Sequence, residues 1–203
     1  MPDEKINKII TIILVIAISA AALVFLYVNL PQQYETNDNS DDVITDDTIF
    51  LTVTYADVEK EYTLNDLEGF NSVTGSGSYI KTKLLPDSVV IKGPFTYTGV
   101  DIISVLNDFN DLPSSYNVTV IASDGWETEY TQNDVKGNVN NYNETGNITG
   151  NNNIQMIIAY KEDDEYITDE EVGPLRIAFI GENTITESNL WSKMVTSITI
   201  TEL

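Results

Sequence analysis

The 203-residue chain contains no cysteine and no histidine. Without thiols there is no disulfide, no thiolate nucleophile and no Cys–His pair. Without imidazole there is no Ser–His–Asp arrangement, and the two absences together remove the ordinary zinc and haem ligands. Basic residues are scarce as well: nine lysines and one arginine stand against 32 acids. The formal net charge of −22 repels nucleic acid and anionic lipid headgroups, so no nucleic-acid partner is expected. Remaining chemistry must use carboxylates, hydroxyls, these few cations or a bound cofactor. Stability must come from a packed core.

One long uncharged run is present. Ile9 to Val28 reads IITIILVIAISAAALVFLYV, about the length that spans a bilayer as a helix. Lys5 and Lys8 precede it, whereas the acids Glu35, Asp38, Asp41 and Asp42 come before the next base, Lys60. That asymmetry predicts a cytoplasmic N-terminus and an exported C-terminal part. A cleaved signal peptide is the rival reading, with Ala20 to Ala22 as the small residues, but the apolar run continues through Leu26. The expected organisation is a cytoplasmic stub at 1–8, a transmembrane anchor at 9–30, an acidic and polar tether at 31–47, and one extracytoplasmic domain at 48–203. Asp3 and Glu4 offset Lys5 and Lys8, so the whole net charge falls on the exported part.

The domain reads as α+β and mainly β. Ile49 to Tyr55 alternates apolar and polar residues, as a half-buried strand does, and EKEYTL supplies its hairpin partner. A short helix follows near Asn65 to Glu68, capped by Asn65 or Thr63 and ending at Gly69. Ser72 to Lys81 and Ser88 to Lys92 read as strands, and Val100 to Phe109 has helical spacing of apolar residues. Asn117 to Ser123 and Glu127 to Thr131 flank Asp124-Gly125, a dipeptide suited to a tight hairpin turn. Ile154 to Tyr160 is a continuous apolar strand and therefore central, and Leu175 to Ile180 and Val195 to Thr201 complete the set. Lys136 to Asn153, rich in Gly, Asn and Thr, reads as a long exposed loop. No internal repeat is expected. Sequons at Asn117, Asn143 and Asn147 carry no weight, because the density of Asn, Ser and Thr makes three matches by chance unsurprising.

Six segments in order resemble one family: YTLNDLEGF (Tyr62 to Phe70), VIKGPFTYTGVDIISVL (Val90 to Leu106), VTVIASDGWETEYT (Val118 to Thr131), MIIAY (Met156 to Tyr160), GPLRIAFIG (Gly173 to Gly181) and LWSKMVTSITI (Leu190 to Ile200). They are similar to the molybdopterin-binding domain of the sulfite oxidase type, in its small membrane-tethered form. The resemblance implies a barrel-like core of β-sheets with short peripheral helices. It also implies a cysteine thiolate on molybdenum, a soft ligand for that metal, located between Tyr79 and Gly93. This chain has none there; Ser88 is the nearest small hydroxyl. The family's arginine and lysine match Arg176 and Lys193, which the resemblance assigns to cofactor binding. The Gly-rich basic segment expected before the lysine is replaced by ENTITESNL (Glu182 to Leu190), whose two acids oppose a phosphate-bearing cofactor.

Each candidate also has a structural reading. Arg176 can grip an anion through its planar fork or form an internal salt bridge. The same choice applies to Lys193. Trp126, Trp191 and Tyr97 read as core lids rather than ligand platforms. The acids Glu162 to Glu165 and Asp169 to Glu171 offer hard oxygens for Ca²⁺ but lack the spacing that wraps one ion, and no pair is singled out for glycoside hydrolysis. The leading expectation is a non-catalytic, membrane-anchored binding or scaffold module with an unidentified extracytoplasmic protein or small-molecule partner, no catalytic residue, no metal site and no bound cofactor. The alternatives are a molybdopterin-dependent oxidoreductase without a cysteine ligand and a Ca²⁺-dependent adhesion module.

Overall fold

The computed structural model describes residues 48–82, 89–150, 153–168 and 173–203. The expected stub, anchor and tether all lie outside the described residues. Among the described residues no helix is long and apolar enough to cross a membrane.

Two sheets share one core. In the first, β1 (Ile49–Tyr55) turns at Ala56, whose φ is 52°, into β2 (Val58–Thr63). Leu51 and Val53 point inward and are fully buried, as the alternation of β1 requires. The last strand, β13 (Val195–Glu202), lies parallel to β1. On its other side it pairs antiparallel with β5 (Tyr116–Ala122), which turns at Asp124-Gly125 into β6 (Glu127–Thr131). Gly125 has φ 84°, the conformation for which glycine is suited. The order is β2-β1-β13-β5-β6.

The second sheet holds β3 (Ser72–Thr82), β4 (Val89–Asp101), β9 (Gln155–Glu162), β10 (Glu165–Tyr166), β11 (Arg176–Ile180) and β12 (Ile185–Glu187). β9 lies between β4 on one edge and β10 and β11 on the other. Residues 156–160 and 176–180 are all buried, which explains their continuous rather than alternating apolar pattern. Tyr130 of β6 meets Phe179 of β11 with ring centroids 6.4 Å apart, so the core runs between the sheets.

Three short helices decorate the sheets: α1 (Leu64–Gly69), α2 (Ile102–Leu106) and α3 (Gln132–Val135). The first and third follow the same six-residue design. Glu61-Tyr62-Thr63-Leu64-Asn65-Asp66 and Glu129-Tyr130-Thr131-Gln132-Asn133-Asp134 each end a strand on a buried tyrosine. Each then caps a helix by a reciprocal Thr–Asp box. Asp66 accepts from Thr63 N at 2.8 Å and Asp134 from Thr131 N at 2.8 Å. The expectation of no internal repeat is therefore corrected: a local one links the two hairpins that flank the first sheet.

Three further expectations change. The expected helix from Val100 to Phe109 is only Ile102–Leu106, because β4 continues to Asp101 in register with β9. Of the strand expected at Ser88 to Lys92, the described part, Val89 to Lys92, is the start of that same long β4. The expected exposed loop at Lys136 to Asn153 carries a hairpin, β7 (Asn141–Tyr142) and β8 (Ile148–Gly150), with Val139 and Asn141 buried.

β4 and β9 approach closely at Gly99. A Cβ there would sit 2.2 Å from the Ile158 carbonyl oxygen, whereas one at Gly69 would meet nothing within 4 Å. Gly99→Ala is therefore expected to cost about 1–3 kcal/mol or more of unfolding free energy, and Gly69→Ala less than about 0.5 kcal/mol. Urea unfolding measures both; equal losses would contradict this packing.

Candidate functional site

Arg176 opens β11 between Leu175 and Ile177, both fully buried. Every residue of the strand is buried, and the arginine itself is 3% exposed. Its Nη1 donates to Glu162 Oε2 at 2.7 Å, at the end of β9. Glu162 keeps 28% of its side chain exposed, so the pair sits at the edge of the core.

Aromatic rings complete the surroundings. The guanidinium carbon lies 5.0 Å from the Tyr97 ring centroid and 5.6 Å from that of Trp191. Desolvated contacts of this kind contribute about 1–2 kcal/mol each. Trp191 is held by its Nε1 donating to Thr186 Oγ1 at 2.7 Å and by tilted packing on Tyr79 and Tyr97. The polar account is incomplete: among the described residues, Arg176 Nε and Nη2 and the Tyr97 hydroxyl are buried with no hydrogen-bond partner. Burial raises the Tyr97 pKa; the Arg176 charge pulls it down, and Glu162 pushes it up again. The phenol stays protonated at neutral pH.

Lys193 is placed differently. Ile177 N donates to Ser192 O at 2.8 Å and Val195 N to Leu175 O at 2.9 Å, so its backbone runs beside the start of β11. Its side chain is exposed, while that of Arg176 is enclosed. Neighbouring backbones thus carry the two cations into different environments. Trp191 is buried as expected, but Trp126 is 69% exposed at the β5–β6 turn and is no core lid. Sequence reasoning placed Glu162 among solvated acids and missed it as the arginine's partner, because the pairing depends on the β9–β11 register.

The segment expected to supply a molybdenum ligand is two paired strand ends, with Tyr79 opposite Lys92 and Ile80 opposite Ile91. Ser88 lies outside the described residues. In ENTITESNL, Thr186 holds Trp191 and Glu187 accepts from the Tyr142 hydroxyl. The residues present do not fit the cofactor. The chain has no thiolate or imidazole to offer the metal, its one arginine is paired internally, and no base stands among Glu182 to Leu190 to meet a phosphate. For calcium, Glu162 is taken by Arg176 and Asp163 accepts from Thr96 N at 2.9 Å. Among the described residues no group of three or more acids is placed to hold a metal ion.

Removing one partner of the ion pair strands a buried charge. That loss is about 3–5 kcal/mol for fully enclosed pairs. With Glu162 partly hydrated, Glu162→Ala is expected to cost about 2–3 kcal/mol. Arg176→Met combined with Glu162→Met should recover most of that loss in denaturant unfolding. A double variant as unstable as the single one would contradict the stranded-charge account.

No family model and no curated protein matches the chain. Among solved structures it is similar to the sulfane dehydrogenase SoxCD from Paracoccus pantotrophus, at 13% identity and a TM-score of 0.50. The match covers 74% of this chain and 37% of that one, so the chain spans little more than a third of the enzyme's length. At this identity the likeness concerns fold alone: the mainly β α+β domain shares its architecture with part of that dehydrogenase.

Proposed function

We propose that the chain is a non-catalytic binding or scaffold module, built on the fold of a molybdopterin-dependent oxidoreductase domain and held outside the cytoplasm by its N-terminal helix. The observation that carries this reading is the fate of Arg176. The sole arginine, matching the family's cofactor-binding position, is enclosed by rings and neutralised by Glu162. The same chain lacks every thiolate and imidazole. An oxidoreductase of this kind needs a metal ligand and a cationic grip on its cofactor; here the ligand is absent and the arginine fork is already engaged by Glu162. The membrane anchor rests on the uncharged run Ile9 to Val28 and its flanking charges.

A second reading has one observation in its favour. Arg176 Nε and Nη2 are buried donors without a partner among the described residues, and a bound pterin would give them one, with Lys193 as a second contact. When bound, such a cofactor would supply the redox chemistry; the protein would only hold and orient it. Metal analysis and pterin fluorescence of the natively purified full chain separate the two readings. We expect molybdenum and pterin far below one per chain. Stoichiometric amounts of both, lost when Arg176 and Lys193 are replaced by Ala, would overturn the non-catalytic reading.

A further inference from the structure

Away from Arg176, the β7–β8 hairpin, β3 and the turn between β11 and β12 enclose a cleft of about 720 Å³. Its walls are locked by the protein itself. Asn141 is buried; its Oδ1 accepts from Ile185 N at 2.7 Å and its Nδ2 donates to Asn183 O at 3.3 Å. Ser78 N donates to Thr184 O at 2.9 Å, and Gly181 N donates to Ser76 O at 3.0 Å. The Tyr142 ring is fixed by its hydroxyl donating to Glu187. A site of this volume, preformed by hydrogen bonds, takes a small ligand without first ordering a loop.

The lining chemistry narrows the ligand. None of the described lining residues is a lysine or arginine, and the domain carries a large negative charge, so phosphates, sulfates and carboxylates are disfavoured. Apolar lining is limited to Pro94, Tyr142 and Ile185 beside glycine, too little for a lipid chain. The two carboxylates, Glu144 and Glu182, stand exposed at the rim, where water and salt screen their pull on a cation. What remains are hydroxyls and amides, which both donate and accept. Thr184, also part of the lining, has a buried Oγ1 without a partner among the described residues.

We propose that this cleft binds a neutral saccharide of one or two rings, an inference that rests on the reading of the domain as a binding module. Ring hydroxyls would exchange hydrogen bonds with Ser76 and Asn183.

Saturation-transfer NMR on the full chain in a phosphocholine detergent tests this, with glucose, maltose and N,N′-diacetylchitobiose as probes and with spermidine and inositol hexaphosphate as charged controls. At least one saccharide is expected to bind saturably, with Kd of about 0.1–10 mM. Ser76→Phe should fill the cleft and raise that Kd at least about tenfold, whereas Glu144→Gln with Glu182→Gln should change it less than about threefold. The assignment is overturned if no saccharide saturates below about 50 mM, if Ser76→Phe leaves binding unchanged in a folded protein, or if spermidine alone binds and is lost in the Gln variant. Failure here with no molybdenum present removes the saccharide and leaves the non-catalytic reading standing. Stoichiometric molybdenum removes that reading whatever the saccharides do.

Discussion

A guanidinium inside a β core must be neutralised where it sits, because water is not there to solvate it. Arg176 meets that demand through Glu162 and through the faces of Tyr97 and Trp191. The requirement reaches widely through the fold. Glu162 is in place only if β9 and β11 pair in the observed register, with Arg176 opposite Ala159. Tyr97 arrives on β4, which pairs with β9 on its other side. Trp191 depends on the 3-10 turn Ser188–Leu190 and on Thr186. One buried cation thus ties together four separate parts of the chain.

The same geometry bears on function. A guanidinium committed to an internal carboxylate is a poor candidate for gripping a ligand, because each role needs the same fork. Lys193, the other cation singled out by the resemblance, is exposed beside the same strand and shares none of the described ring contacts of Arg176. The domain shares its architecture with part of a dehydrogenase, a likeness of fold alone. Fold and function are separable in this way, since activity resides in specific sites rather than in the scaffold.

Much of the fold was legible in the sequence. The alternation of Ile49 to Tyr55, the Asp124-Gly125 turn and the apolar run at Ile154 to Tyr160 each report a local constraint, and each appears as a strand or turn in its expected place. What could not be read depended on distant partners. The stretch from Lys136 to Asn153 looks structureless because much of what holds it is distant: Asn141 bonds Ile185 and Asn183, and Tyr142 bonds Glu187, all more than forty residues away. Helical spacing after Val100 gave way to strand because β9 supplied a ladder partner. The two tryptophans, alike in sequence context, separate into a buried ring at Trp191 and an exposed one at Trp126. The Glu-Tyr-Thr repeat was visible in the sequence itself, but its meaning as a strand end followed by a capping box became clear only from the hydrogen bonds of Thr63 and Thr131.

The candidate site was legible by residue and not by partner. Resemblance pointed to Arg176, and the scarcity of bases made an internal acid a natural match, but nothing local named Glu162. Because Arg176 is the sole arginine, its guanidinium gives one set of NMR signals, free of overlap. The most direct measurement follows those signals in the full chain while inorganic phosphate and molybdate are added. A core-committed guanidinium predicts slowly exchanging, resolved Nη protons with a contact to the Glu162 carboxylate, unmoved by either anion. Rapidly averaged Nη protons, or signals that shift saturably with phosphate or molybdate, would contradict the account and return Arg176 to the ligand-binding surface.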